Sequence, residues 1–190
     1  MPPPLLTRFL AALLAVSCLA CDEPPRRPLA PEPSLSTFRG TVVGIADGDT
    51  ITILDADHVE QRVRLAAIDA PERGQPFGRS AKESLAEITL GRVADVEWQT
   101  RDRYGRMVGK VMLPDPDCPG RDCPNSFDAG LAQLSRGNAW WYRRYAGEQS
   151  PADRRAYEAA ERTAKSQLLG VWSEPAPIPP WDWREEQPAR

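Results

Sequence analysis

Between Phe38 and Ile68 three β-rich runs follow one another with only short turns between them, and this meander limits every fold open to the chain. "FRGTVVGI" (Phe38–Ile45) and "TITILDA" (Thr50–Ala56) are joined by "ADGD", a turn sequence that makes the two runs a hairpin. "HVEQRVRLAAI" (His58–Ile68) continues the meander, with Arg62 and Arg64 on one face and Val63 and Leu65 on the other. Asp69-Ala70-Pro71-Glu72 then turns the chain out of the strand.

The rest of the domain adds helices and a second hairpin. Ser80–Leu90 places Ala81, Leu85 and Ile88 at helical spacing and ends at Gly91, a C-terminal cap. "RVADVEWQT" (Arg92–Thr100) and "MVGKVMLP" (Met107–Pro114) flank the turn "RDRYGR", which brings the strand count to five. Ser126–Arg136 reads as a helix stopped by Gly137 and followed by the aromatic "NAWWY". Pro151–Leu169 reads as another, opened by Ser150-Pro151, with Tyr157, Ala160, Ala164 and Leu168 along one face before Gly170. The expected class is α+β: a five-stranded antiparallel barrel of OB type carrying about three helices. A length of 190 residues and a hydrophobic fraction of 41% fit one packed core with appendages. Such barrels bind nucleic acids or sugars, and the fold alone does not fix a function.

The appendages lie at the two ends. Arg8 precedes "FLAALLAVSCLAC", an apolar run too short to span a bilayer as a mature helix and suited to a secretory signal, so residues 1–21 are expected to be an export address. Cys18-Leu19-Ala20-Cys21 resembles a bacterial lipobox with Cys21 as the lipidated residue; ordinary signal cleavage nearby is the alternative. The expected location is periplasmic or cell-surface, with membrane attachment only through that lipid, or secreted. Residues 22–37 are proline-rich without apolar periodicity and read as a tether. The barrel domain is expected over 38–174, and 175–190 as a polar, proline-rich tail in which Trp181 and Trp183 offer docking anchors. Within the domain, Cys118 and Cys123 flank "PGRD". A local disulfide fits an oxidising compartment, and the rival is half of a metal site, although His58 is the single histidine.

A net charge of −3 argues against a globally basic nucleic-acid binder, so a polyanionic substrate needs a focused site. Nearly all the positive charge is arginine, the side chain that grips phosphate in a fork, since lysine occurs only at 82, 110 and 165. Three polar stretches lie on turns or strand ends: "DGDT" (Asp47–Thr50), "IDAPE" (Ile68–Glu72) and "DRYGR" (Asp102–Arg106). Taken singly, each is a tight turn, a capping aspartate or a solvated arginine. Taken together they supply aspartates for a hard cation, arginines for a phosphate and a glutamate able to take a proton.

In this order and spacing, "DGDT", "RLAAIDAPE" and "DRYGR" resemble the staphylococcal nuclease-like (thermonuclease) family, from about Phe38 to Trp172, and "PIPPWDWR" is similar to the tail of many bacterial members. The resemblance implies that Asp49, Asp69 and the backbone carbonyl of Ala70 hold Ca²⁺, that Arg64 and Arg106 clamp phosphate, and that Glu72 stands beside the attacking water as general base or as its orienter. Many members carry threonine at the position of Ala70. Tyr104 and Tyr142 are implied to line the nucleotide pocket. The implied reaction is hydrolysis of single-stranded or frayed DNA and RNA to 3′-phosphate products by a monomer. The alternative is a catalytically silent OB-type module that binds nucleic acid or protein; retention of all five charged positions favours the enzyme.

Overall fold

The computed structural model describes residues 35–118 and 123–186. The expected signal segment with Cys21, and the tether up to residue 34, lie outside the described residues. Among those described, no helix is long and apolar enough to cross a membrane.

The strands are β1 (Ser36–Ile45), β2 (Thr50–Asp55), β3 (Glu60–Leu65), β4 (Ile68–Asp69), β5 (Val93–Arg101), β6 (Met107–Pro114), β7 (Asn125–Asp128) and β8 (Trp140–Trp141). The helices are α1 (Gly78–Thr89), α2 (Ala129–Ser135), α3 (Pro151–Ser166) and α4 (Pro180–Glu186). The main sheet runs β3-β2-β1-β5-β6-β7, and β3 also pairs with β6 through Val63↔Met107, Arg64↔Val108 and Leu65↔Gly109. That seam closes β3, β2, β1, β5 and β6 into the expected five-stranded barrel.

The seam is parallel, whereas the other pairings round the ring are antiparallel. Geometry demands this: an odd number of strands cannot alternate direction round a closed ring, so one neighbouring pair must run the same way. Gly109 sits at the seam, where a Cβ would stand 2.8 Å from the Glu97 carbonyl oxygen.

Alternation in the strands fills the barrel with Val42, Ile51, Ile53, Val63, Leu65, Val96, Val111 and Leu113, all essentially buried. Helix α1 adds Ala81, Leu85 and Ile88 to the same core, and Gly91 follows it at φ +77°, the left-handed cap that the sequence predicts. Helix α2 starts at Ala129 instead of Ser126, because Asn125–Asp128 pairs with β6 and the Asp128 carboxylate caps the backbone N–H groups of Gly130 and Leu131. Helix α3 ends at Ser166. Leu168 lies beyond it at φ 53° and 65% exposed, so it is not part of the buried helix face that the spacing suggested. The expected disulfide is present, Cys118 to Cys123, with Cα atoms 5.8 Å apart.

The expected tail contains a helix that the sequence did not predict, and Trp181 docks as the sequence predicts. Pro180–Glu186 forms α4, Pro180 is buried, and the Trp181 ring stacks on Tyr142 at 5.3 Å and 17°.

Candidate active site

The three motifs meet at one end of the barrel. The "DGDT" turn links β1 to β2, and its Gly48 passes so close to α1 that a Cβ would lie 2.6 Å from that of Ala81 and 2.7 Å from that of Ala70. Gln133 of α2 pins the turn from below, its Nε2 donating to the carbonyls of Gly48 at 2.8 Å and Ala81 at 2.9 Å. Across the β2–β3 pair, Thr50 faces Arg64, and the Leu65 N–H donates to the Asp49 carbonyl. The "IDAPE" corner is held by the β4–β8 pair, in which Asp69 lies opposite Trp140. Buried backbone pairing, not surface loop geometry, therefore aims both aspartates.

Arg64 ties those aspartates together. Its Nη2 lies 2.8 Å from Asp69 Oδ1 and 3.3 Å from Asp49 Oδ2, while Nη1 donates to the Ile68 carbonyl at 3.0 Å. Asp49 Oδ2 also accepts the Ala70 N–H at 3.2 Å. Arg106 reaches the same group by relay: Nη1 donates to Thr50 Oγ1 at 3.0 Å, and that hydroxyl donates to Asp49 Oδ1 at 2.9 Å. Its Nε is clamped by Asp102 Oδ2 at 2.7 Å. Thus Asp49, Arg64, Asp69 and Ala70 are joined by direct contacts, and Arg106 is joined to them through Thr50.

Glu72 joins through a residue the motifs do not contain. Arg184 of α4 places Nη1 2.6 Å from Glu72 Oε1 and Nη2 2.6 Å from Asp69 Oδ2. Sequence reasoning missed it because the segment was read as tail; the signal available was a lone arginine closing "PIPPWDWR". Tyr104 is 64% exposed, with the Arg106 guanidinium 5.5 Å from its ring centroid. Tyr142 is linked to the corner through Trp181, which covers one of its faces, while Tyr145 meets it edge-on at 5.3 Å.

Burial is the largest influence on the acids of the corner. Asp47, whose Oδ1 accepts the Asp49 N–H at 3.1 Å, is pushed up to about 6 by burial and then by the charge of Asp49. Burial also raises Asp69, although the hydrogen bond from Arg184 and the charge of Arg64 pull it back. Asp49 and Asp69, both buried, offer the hard oxygen donors that Ca²⁺ or Mg²⁺ takes, so the residues present fit such an ion. Among the described residues no group of three or more acid, histidine or cysteine side chains surrounds one point. An ion there would complete its shell with backbone carbonyl, water and phosphate oxygens.

The chain is similar to known proteins over most of its length. The family model described as "Staphylococcal nuclease homologue" matches residues 62–174. A micrococcal nuclease of Shigella flexneri is 43% identical over 152 residues, which cover 80% of this chain and 83% of that protein. Protein ParB of Escherichia coli is 38% identical over 81% of this chain and 83% of its own length. An uncharacterized endonuclease of Escherichia coli O157:H7 is 33% identical over 79% of this chain and 87% of its own length.

Proposed function

Since the chain belongs to the staphylococcal nuclease homologue family, we propose that it is an exported, Ca²⁺-dependent nuclease that hydrolyses DNA and RNA phosphodiesters to 3′-phosphate products. The observation that carries the reading is the corner itself. Two buried aspartates, two arginines wired to them and a glutamate beside them supply each group that phosphodiester hydrolysis requires. Export is supported by the leader-like residues 1–21, with Cys21 as the candidate lipid site.

The difficulty in this reaction is charge, since an anionic diester repels the attacking oxygen. Bound Ca²⁺ would supply Lewis-acid polarisation of a phosphate oxygen and of the water, with Asp49, Asp69 and the Ala70 carbonyl as its protein ligands. Arg64 and Arg106 donate fork-like hydrogen bonds to the equatorial oxygens, and those bonds strengthen as negative charge grows in the transition state. Glu72 accepts a hydrogen bond from the attacking water and aims its lone pair at phosphorus. The new P–O bond forms as the bond to the 5′ oxygen breaks; the attacking water gives up a proton to Glu72 as base, or to solvent where Glu72 only orients it, and the leaving 5′ oxygen takes one up from solvent. Tyr104, exposed beside Arg106, offers a ring to the adjoining nucleotide.

The test is incubation of the purified protein with single-stranded DNA and with RNA in Ca²⁺ or EGTA, with analysis of product ends. Cleavage in Ca²⁺ that EGTA abolishes, leaving 3′ phosphates, is the expected result. Undiminished cleavage in excess EGTA would remove the calcium assignment, and a folded, calcium-loaded protein that cleaves nothing would be a binding module.

A further inference from the structure

Glu72 is the least constrained member of the corner. Its side chain is 40% exposed and stands on the loop beyond β4, whereas Asp69 is fixed by the β4–β8 pair and is 1% exposed. An unrestrained glutamate samples many rotamers, and a group that must meet one water at one angle loses rate when it does so.

The C-terminal segment restrains it twice. At the backbone, the buried Gln75 side chain accepts the Glu72 N–H through Oε1 at 3.0 Å and donates through Nε2 to the Ile178 carbonyl at 2.6 Å. At the side chain, the two terminal nitrogens of Arg184 are committed to Glu72 Oε1 and Asp69 Oδ2, each at 2.6 Å. A planar guanidinium bridging two carboxylates transmits the fixed position of Asp69 to Glu72. Helix α4 is anchored well enough to do this, through buried Pro180 and the Trp181–Tyr142 stack.

We infer that Arg184 is a positioning residue for the hydrolysis, bridging Glu72 to Asp69 so that the glutamate is held at the corner, while the same guanidinium opposes cation binding at Asp69. The inference rests on the nuclease reading, since orientation of Glu72 matters only if Glu72 serves a reaction. A residue that merely docks α4 would change folding stability. One that meets substrate phosphate would change KM. This bridge predicts a different pattern: turnover and cation affinity move in opposite directions.

The experiment compares the whole protein with Arg184→Gln and Arg184→Lys by calorimetric titration with CaCl₂ in the absence of nucleic acid, by kcat and KM on single-stranded DNA at saturating Ca²⁺, and by thermal unfolding. Arg184→Gln is expected to bind Ca²⁺ about ten-fold more tightly, because a positive charge has left the liganding carboxylate. Its kcat is expected to fall about ten- to hundred-fold with KM little changed, as a misaimed catalytic group predicts. Arg184→Lys keeps the charge but not the fork, so it should hold Ca²⁺ affinity near wild type and recover only part of kcat. Unchanged kcat and affinity in Arg184→Gln overturn the role, as does a joint fall in kcat, affinity and melting temperature. A rise in KM at constant kcat overturns it too, by making Arg184 a phosphate ligand. No cleavage by the wild type would defeat the nuclease reading itself, which cleavage left intact by Arg184→Gln would not.

Discussion

Arg106 is held by the turn it comes from. Asp102 accepts the Tyr104 and Arg106 N–H groups through Oδ1 and the Arg106 Nε through Oδ2, and the hydrogen bonds from Arg106 and Tyr104 outweigh burial to keep that carboxyl below its usual range. Arg106→Ala is therefore expected to cut kcat on DNA by about 10²–10³, the cost of one lost transition-state donor. The melting temperature should barely move, because Asp102 keeps its backbone donors and a mostly local contact is lost. Wild-type turnover in that variant would remove Arg106 from the mechanism. Asp49, Arg64, Asp69, Glu72 and Arg106 were singled out in the sequence because each sits in one of three motifs whose order and spacing resemble a family, and the structure brings the five to one corner. The Thr50 relay was not legible, although Thr50 and Asp49 both belong to "DGDT", because its donor, Arg106, stands 56 positions further along the chain. Arg184 was hidden more deeply, since its meaning lies in a pairing with a residue 115 positions away.

Among the elements, the pair of β8 with α3 shows how a two-residue strand can be stable. Glu161 of α3 is buried and accepts the Trp141 N–H at 3.0 Å, while Arg143 and Lys165 reach its other oxygen at 2.8 and 3.0 Å. Burial alone would raise this carboxyl, but the hydrogen bonds from Arg143, Lys165 and the Trp141 amide outweigh it and hold it low. A depressed folded pKa stabilises the protein above the unfolded value, about 4.3 for glutamate, and that contribution is lost as pH falls through the folded value. Glu161→Gln should thus destabilise the protein by about 1–2 kcal/mol at pH 7, with the gap to wild type narrowing as pH falls below about 4, as read by urea unfolding. A gap independent of pH would show that packing, not charge, is what Glu161 provides. Sequence periodicity found the barrel strands and α1 because their apolar repeats are long enough to register. It missed β4, β7 and β8, which contain too few residues to show a period, and α4, which lies in what reads as a polar, proline-rich tail.

At the scale of the molecule, a net charge of −3 surrounds a corner in which Arg64 and Arg106 are the arginines proposed for phosphate, while Arg184 and, in this structure, Arg64 as well are paired with carboxylates. Counterion release should then be modest. The logarithm of affinity for single-stranded DNA is expected to fall with the logarithm of salt at a slope of about −1.4, from about −0.7 for each of two neutralised phosphates. Fluorescence anisotropy of the Glu72→Gln protein across a salt series measures it, and a slope of about −4 or steeper would reveal a basic track beyond the two arginines. The ring of strands and the late-arriving helix also set an order of events. Hairpins close short loops, the β3–β6 seam closes a longer one, and contact between Asp69 and Arg184 closes the longest of the three. Closure entropy grows with loop length, so a folding chain completes its barrel before it braces Glu72. Unfolding that begins at α4 is then expected to leave an intact barrel with a slack glutamate, so that, if Arg184 braces Glu72 as inferred, catalytic competence is the last property the chain acquires and the first it gives up.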